Sequence, residues 1–243
     1  MVILCGLGGK NNQIIGDRHI TVLNGTILLV IKFRMGAKLR FLSHAETVKV
    51  FQRACVRAGI KVQHSQGFNP RPKLSLPLPR SVGVESDDDL LCLRVNRDLN
   101  EPRVTDYESR IKARLSGQLP EGCELLSISV GKANISFQPS GATYVLSVRP
   151  EYLNEKLKAS IKRLLASESL NLQRRINAKG NIRNVDVRGF LKSIELNGRS
   201  IIVECNISST GSIRVEEILK LLELDVEKLA APIRRTNVQW SEA

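Results

Sequence analysis

The chain has 243 residues, 42% of them hydrophobic, so it can bury a substantial core as one large or two small domains. No run of about eighteen apolar residues occurs, which excludes a membrane-spanning helix, and no signal peptide is expected because the first residues lack a basic segment and a cleavage site. The net charge of +13 indicates a polyanionic partner, nucleic acid before an anionic membrane surface.

The cysteines are scattered along the chain, with no C-x-x-C or C-x-x-H spacing; they are Cys5, Cys55, Cys92, Cys123 and Cys205. This spacing supports neither a zinc site, nor a disulfide framework, nor an iron–sulfur cluster. We therefore expect a cytoplasmic protein without a metal ion or another cofactor.

Positive charge is concentrated in one quarter of the chain. Residues 27–84 contain eleven lysines and arginines and a single acid, Glu46, which gives this segment a net charge of +10. Such an asymmetry points to nucleic acid. The alternative is a charge that only keeps the protein soluble.

In chain order, residues 1–26 show no clear period and are expected to form a poorly ordered extension. A β-branched strand follows at 27–33. Ser43 and Glu46 have the spacing of a capping box, and Gly59 provides a helix stop, so a helix is predicted between them. The rest of the first half, 27–131, is predicted as strand 60–64, loop 65–73, strands 74–78 and 90–95 around an acidic turn at 85–89, helix 102–115 and strand 124–130.

A linker is predicted at 131–141, and the second half, 142–239, repeats a similar order of elements. Its predicted elements are strand 143–148, helix 151–165, strand 170–176, a hairpin of 192–196 and 200–206 around Asn197-Gly198, helix 215–222 and strand 233–238. The predicted fold is therefore α+β, with two tandem ferredoxin-like (βαββαβ) sandwiches that have antiparallel sheets.

On the first predicted helix, Lys49, Arg53 and Arg57 follow one another at a spacing of four residues and form one stripe. Like charges at this spacing repel, which is typical of a track that binds phosphates. The alternative is a solvated face opposite the core.

The loop 65–73 carries groups that are suited to recognising nucleic acid. Arg71 and Lys73 can hold phosphates, Phe68 can stack on a base, and Gln66 and Asn69 can reach base edges or backbone groups. The alternative is a structural crossover in which Phe68 plugs the core and Asn69 caps a turn. Arg40, Arg234 and Arg235 complete the predicted nucleic-acid-binding set, although Arg234 and Arg235 could instead be a solvated strand edge.

Two histidines flank the first helix. His44 and His64 could form the acid/base pair of a ribonuclease-like site. A helix of about fifteen residues separates its ends by roughly 22 Å, so direct cooperation would require the following loop to fold back. The alternative is that each histidine is packed or hydrogen-bonded.

Several motifs together resemble the radical-SAM-linked protein family, also called DUF2344, over about 27–238. They are Leu39-Arg40-Phe41-Leu42-Ser43-His44, Arg57-Ala58-Gly59, Ser65-Gln66-Gly67-Phe68-Asn69-Pro70-Arg71-Pro72-Lys73-Leu74-Ser75, Gly83-Val84-Glu85, Asp186-Val187-Arg188-Gly189-Phe190-Leu191-Lys192-Ser193-Ile194 and Ile233-Arg234-Arg235-Thr236.

The resemblance implies association with a radical SAM protein and, in some cases, with an RNase G-type enzyme, but it implies no assigned activity. Arg71 stands where this family more often has histidine, and His64 stands where an aromatic residue is common. The first difference weakens a histidine-based catalytic or metal site in the loop.

The leading hypothesis is a basic accessory module that binds RNA and acts with a separate radical SAM or RNase G-type partner. One alternative is an enzyme that cleaves or modifies RNA with His44. Another is an adaptor that docks a protein without contacting RNA.

Overall fold

The computed structural model describes residues 25–96, 104–175 and 181–242. Within these ranges the helices are α1 His44–Arg57, α2 Val104–Ser116, α3 Glu155–Ala166 and α4 Val215–Leu221. The strands are β1 Thr26–Met35, β2 Leu74–Ser75, β3 Glu85–Asn96, β4 Cys123–Lys132, β5 Phe137–Ser147, β6 Asn171–Arg175, β7 Ile182–Asp186, β8 Leu191–Asn197, β9 Ser200–Ser208, β10 Gly211–Ser212 and β11 Arg234–Glu242.

One large, mostly antiparallel sheet runs through the molecule, so the fold is mixed α+β. Its strand order is β10-β9-β5-β11-β3-β1-β4, with β2 beside β3 and β8 beside β9, while β6 and β7 form a separate hairpin. The last strand, β11, pairs antiparallel with β5 and parallel with β3. Because β11 joins strands from both halves of the chain, the two halves share one sheet.

The helices cover the sheet over two hydrophobic cores. Phe51 of α1 and Ile111 of α2 pack with Leu29 of β1, whereas Ile161 of α3 and Ile218 of α4 belong to the core of the second half. None of the helices in the described ranges is long and apolar enough to cross a membrane.

The predicted start and end of α1 are confirmed. The Ser43 hydroxyl accepts a hydrogen bond from the Glu46 backbone N–H, and the Glu46 carboxylate accepts one from the Ser43 N–H at 2.8 Å. Gly59 follows the helix with φ of +63°, a conformation that glycine adopts without steric cost. These contacts fix where the basic helix face begins and ends.

The acidic turn predicted at 85–89 is wrong, because these residues form the beginning of β3. Asp88 and Asp89 are buried there. Lys32 of β1 lies 3.1 Å from Asp88, and Arg235 of β11 forms an ion pair with Asp89. Basic side chains on the neighbouring strands thus compensate the carboxylates inside the sheet.

Other predicted elements differ mainly in length. Prolines limit the strand predicted at 74–78 to β2, and the strand predicted at 60–64 consists only of bridges at Val62 and His64. The linker predicted at 131–141 shrinks to a turn at 133–136 between β4 and β5, and β7 was not predicted.

The hairpin of β8 and β9 around Asn197-Gly198 is confirmed. Of the extension predicted at 1–26, residues 1–24 lie outside the described residues, and Thr26 opens β1. The division into domains at 27–131 and 142–239 stays a prediction.

Candidate nucleic-acid interface

The exposed face of α1 carries the predicted basic stripe. Lys49, Arg53 and Arg57 are exposed, while Phe51 and Cys55 on the other face are buried in the first core. The Arg57 guanidinium also donates hydrogen bonds to the side chain and the carbonyl oxygen of Gln118, at 3.1 and 2.6 Å. The alternation of buried and exposed positions therefore presents all three charges to solvent, with Arg57 held in one orientation.

The predicted loop forms a hairpin, which we call the basic hairpin (residues 63–73). The Ser65 N–H donates to the Arg71 carbonyl at 2.8 Å, and the Arg71 N–H donates to the Ser65 hydroxyl at 3.0 Å. Its two legs lie against the edge of β3, where Arg94 accepts from the Gln63 N–H at 2.8 Å and donates to the Lys73 carbonyl at 3.0 Å. The hairpin is therefore anchored on the sheet, although its tip has no regular structure.

The tip of the basic hairpin projects into solvent. Phe68 has a relative exposure of 106%, so it does not plug the core as the alternative interpretation required. Gln66 and Asn69 are exposed beside it. The tip thus offers an aromatic ring and two amides to a ligand.

Six positive charges, on α1, on the basic hairpin and at Lys61 between them, have no carboxylate within ion-pair distance in the described part of the chain. We call them the cationic surface; they are Lys49, Arg53, Arg57, Lys61, Arg71 and Lys73. The helix and the hairpin are neighbours, since Leu74, directly after the hairpin, packs against the same core as Phe51. Two other basic residues, both on β1, are paired instead: Lys32 with Asp88 and Arg34 with Asp87.

Arg235 does not belong to the nucleic-acid interface, contrary to the sequence prediction. Its side chain is only 1% exposed and pairs with Asp89. It also donates to the Pro79 carbonyl at 3.3 Å and interacts with Tyr144. Burial alone would lower the pKa of Arg235, but Asp89 and Tyr144 raise it, so the charge is retained inside the protein. Arg235 was predicted as a surface contact because the local sequence does not show its pairing with the buried Asp89.

Arg80 supports the same buried cluster. Its guanidinium lies 3.9 Å from Asp89 and donates to the carbonyl oxygens of Arg40 and Val84, at 2.8 and 2.5 Å. Burial, as the dominant cause, lowers the pKa of Arg80. This side chain therefore stabilises the loop before β3 and is not available to a ligand.

Arg40 and Arg234 are accessible but partly neutralised. Both lie near Glu85, at 4.0 and 3.8 Å, and Arg234 is also 3.7 Å from Asp87. The Arg40 guanidinium stacks on the Phe41 ring, 4.4 Å from its centre. These two arginines stay predicted contacts, with less free charge than the cationic surface.

The two histidines are both exposed, His44 at the first turn of α1 and His64 on the basic hairpin. His44 borders a small cavity of about 10 Å³ together with Arg80 and Asp89. No hydrogen bond between the two imidazoles is present in the described ranges. A general acid and a general base act on the substrate and need no mutual contact, so the acid/base pair stays a prediction.

A cleft between the two halves was not predicted. It has a volume of about 700 Å³ and an apolar lining, and we call it the central cleft. Phe41, Val82 and Val226 at its rim are 57–70% exposed, and Arg40 and Arg214 are its basic groups. Its lining comes from segments far apart in the chain, so no local pattern could have indicated it.

Comparisons with known proteins give a family but no activity. No curated protein matches the chain. The crystal structure of a Cbf5-Nop10-Gar1 complex has 11% identity and a TM-score of 0.42, over 86% of this chain and 48% of that chain. An unknown protein from Galdieria sulphuraria has 11% identity and a TM-score of 0.23, over 90% of this chain and 99% of that chain. The chain spans about half the length of the first of these structures, and a likeness at this level carries no functional argument.

The family model of uncharacterised proteins conserved in bacteria, DUF2344, matches residues 29–220, most of the chain. The match includes α1, the basic hairpin and β3. The protein therefore belongs to the DUF2344 family.

Proposed function

We propose that this protein is a cytoplasmic accessory module that binds RNA and acts with a separate protein partner. The observation that carries the proposal is the cationic surface, six positive charges on α1, on the basic hairpin and at Lys61 between them, without carboxylate partners in the described residues. Carboxylates of β3 lie within ion-pair distance of four other basic residues of segment 27–84, namely Lys32, Arg34, Arg40 and Arg80.

Physical chemistry supports a polyanion as the ligand of the cationic surface. Unpaired like charges four residues apart, such as Lys49 and Arg53, cost each pair about 0.2–0.5 kcal/mol in an isolated helix. A row of phosphates removes this repulsion and releases counterions. Arginine in addition binds phosphate through a planar, bidentate guanidinium. RNA provides phosphates at the density that such a surface requires.

The partner in this proposal is a radical SAM protein, as the family resemblance implies, with an RNase G-type enzyme as the other candidate. The central cleft is the docking surface we assign to it. Exposed apolar side chains such as Val82 and Val226 at the rim of a cleft favour a protein ligand. The basic groups of the cleft, Arg40 and Arg214, already lie near Glu85 and Glu216 of this chain, at 4.0 and 3.4 Å. The occupant we propose is therefore a partner segment that binds mainly through apolar side chains.

We also interpret the two halves as tandem ferredoxin-like units. The first half has the strand order β4-β1-β3-β2 and the second has β11-β5-β9-β8. The two orders are the same when each half is numbered from its own first strand and the separate strands β6 and β7 and the short β10 are left out. In each half, two helices contribute to one core. This interpretation places the cationic surface on the first unit alone.

Filter binding of transfer and ribosomal RNA tests the proposal. The doubly charge-reversed variant Arg53→Glu/Lys73→Glu should bind both RNAs at least tenfold more weakly than the wild type. The matched control is Lys162→Glu/Lys220→Glu, which makes the same change of charge at exposed positions on α3 and α4 and should have a much smaller effect. Equal losses of RNA affinity in the two variants would mean that binding depends only on the net charge of the protein, and this result would refute the proposal.

The same purified protein and RNAs also test the alternative that the protein is an enzyme. If the purified protein alone cleaved or modified RNA, and His44→Ala abolished the reaction, the protein would be an enzyme. If the partner bound with equal affinity after RNase treatment, and no RNA bound at any salt concentration, the protein would be a docking adaptor.

A further inference from the structure

We infer that the basic hairpin binds an unpaired nucleotide, so that the ligand class is single-stranded RNA or an unpaired segment of a folded RNA. The inference rests on the proposed RNA-binding function and specifies it. The base would stack on Phe68, while Arg71 and Lys73 hold the neighbouring phosphates.

The position of Phe68 supports this inference. A phenylalanine ring is normally buried, and here the whole side chain is in solvent at the tip of a hairpin. Gly67, directly before it, has φ of +125° and has no atom within 4 Å of the place where a side chain would begin. The backbone next to the ring is therefore open to a ligand from that side.

The hairpin also restrains the backbone that carries the ring before a ligand arrives. The bonds between Ser65 and Arg71 close the tip, and Pro70 and Pro72 restrict its backbone. The legs are bonded to β3 through Arg94. A ring on a restrained tip loses less conformational freedom on binding than a ring on a free loop, which favours affinity.

The positive charge of the basic hairpin also favours a nucleotide as the ligand. No acidic residue occurs between Glu46 and Glu85, while Arg71 and Lys73 follow Phe68 within five residues. An apolar pocket on a protein partner would not match a hairpin that also carries two cations without carboxylate partners, Arg71 and Lys73, the second of which donates to Gln63 at the base of the hairpin. A nucleotide matches both, because it offers an aromatic face next to a phosphate.

Stacking on Phe68 distinguishes unpaired from paired RNA. Within a duplex each base face is covered by its neighbours, and the edges are in grooves that a phenyl ring cannot read. An unpaired base exposes its face and can stack on an aromatic side chain. The exposed ring of Phe68 therefore favours single strands, whereas the stripe on α1 binds phosphates of either form.

Phe41 is not a matched control for Phe68. It is also exposed, at 57%, but the Arg40 guanidinium already covers one face of its ring. It lies in the short 3-10 helix Ala37–Phe41 before α1, outside the basic hairpin. Because Phe41 supports Arg40 and borders the central cleft, the control for the loss of an exposed apolar side chain is Leu196→Ala on β8.

The test compares an unstructured 20-nucleotide RNA with the same strand annealed to its complement. Phe68→Ala should weaken binding of the single strand about tenfold, as expected for the loss of one stacked base, and should change duplex binding less than twofold. Phe68→Trp should restore the single-strand affinity. Leu196→Ala should leave both affinities unchanged.

A spectroscopic measurement distinguishes stacking from an indirect effect. The chain contains a single tryptophan, Trp240, so Phe68→Trp in a Trp240→Phe background places the only indole at the tip. Its fluorescence should be quenched by the single strand and not by the duplex. No quenching, or equal losses of both RNAs in Phe68→Ala, would overturn the inference. Salt-dependent RNA binding that persists in that case would leave the proposed function intact, whereas no RNA binding by the wild type would remove both.

Discussion

Removal of the Asp89 carboxylate should destabilise the protein by about 3–5 kcal/mol, the usual cost of breaking a buried ion pair. Asp89 is buried between the guanidinium groups of Arg235 and Arg80, and it accepts a hydrogen bond from the Ser86 hydroxyl at 2.6 Å. In Asp89→Ala both guanidinium groups lose their buried carboxylate. A loss of this size is a large part of the 5–15 kcal/mol by which most proteins are stable.

Arg235→Met should cost less, near the lower end of about 3 kcal/mol, because Asp89 would keep Ser86 and Arg80 as neighbours. The double variant Asp89→Ala/Arg235→Met should lose less than the two single losses together, since it removes both charges of the pair. Arg234→Met is the control. Arg234 is half exposed and pairs only at the surface, so its loss should cost at most about 1 kcal/mol.

These free energies of unfolding are measured by urea titration monitored by circular dichroism, with the slope and the midpoint of each curve fitted together. RNA affinity should stay unchanged in Arg235→Met under conditions where the variant is folded. The reasoning would be wrong if Arg235→Met kept its unfolding free energy and lost RNA affinity, because Arg235 would then be a ligand contact. It would also be wrong if Asp89→Ala cost less than about 1 kcal/mol.

Three further predictions concern the capping box, the thiols and the central cleft. Ser43→Ala should cost about 1 kcal/mol in urea unfolding, because α1 loses its N-cap. The hydroxyl and the N–H of Ser43 lower the pKa of Glu46. The stabilisation that this contact gives the wild type is therefore present above the unfolded-state pKa of Glu46 and is lost as the pH falls through the lower folded-state pKa. This acid dependence should weaken in Ser43→Ala. Burial raises the pKa values of Cys55 and Cys205 to about 12, so peptide mapping after iodoacetamide treatment at pH 8 should find these thiols labelled only in unfolded protein. Val82→Asp at the cleft rim should reduce co-purification of a radical SAM partner after RNase treatment and leave RNA affinity unchanged, and the reverse pattern would contradict the assignment of the cleft.

Elements that are specified by local chemistry could be predicted from the sequence. Ser43, Glu46 and Gly59 fix both ends of α1 through contacts within a few residues, and Asn197-Gly198 fixes a tight turn. The irregular tip of the basic hairpin followed from its prolines and glycine in the same way. The exposed stripe on α1 was predictable because a period of 3.6 residues separates it from the buried face.

Elements that depend on distant partners could not be predicted. Aspartate is rare in strands, so the acidic start of β3 resembled a turn until Lys32 and Arg235 on neighbouring strands were placed beside it. For the same reason Arg235 resembled a surface charge. The position of β11 between β3 and β5, and the central cleft beside it, result from pairing between residues about 90 to 150 positions apart.

The salt dependence of RNA binding tests the central claim most directly. Each phosphate that is neutralised on a single strand contributes about −0.7 to the slope of log K against log salt concentration, so a surface of six charges predicts a slope of about −4 for the unstructured RNA. Arg53→Glu/Lys73→Glu should bring the slope to about −3 or shallower, while Lys162→Glu/Lys220→Glu should keep it near the wild-type value. A wild-type slope close to zero, or a slope that the first variant does not change, would contradict the proposal that α1 and the basic hairpin bind RNA phosphates.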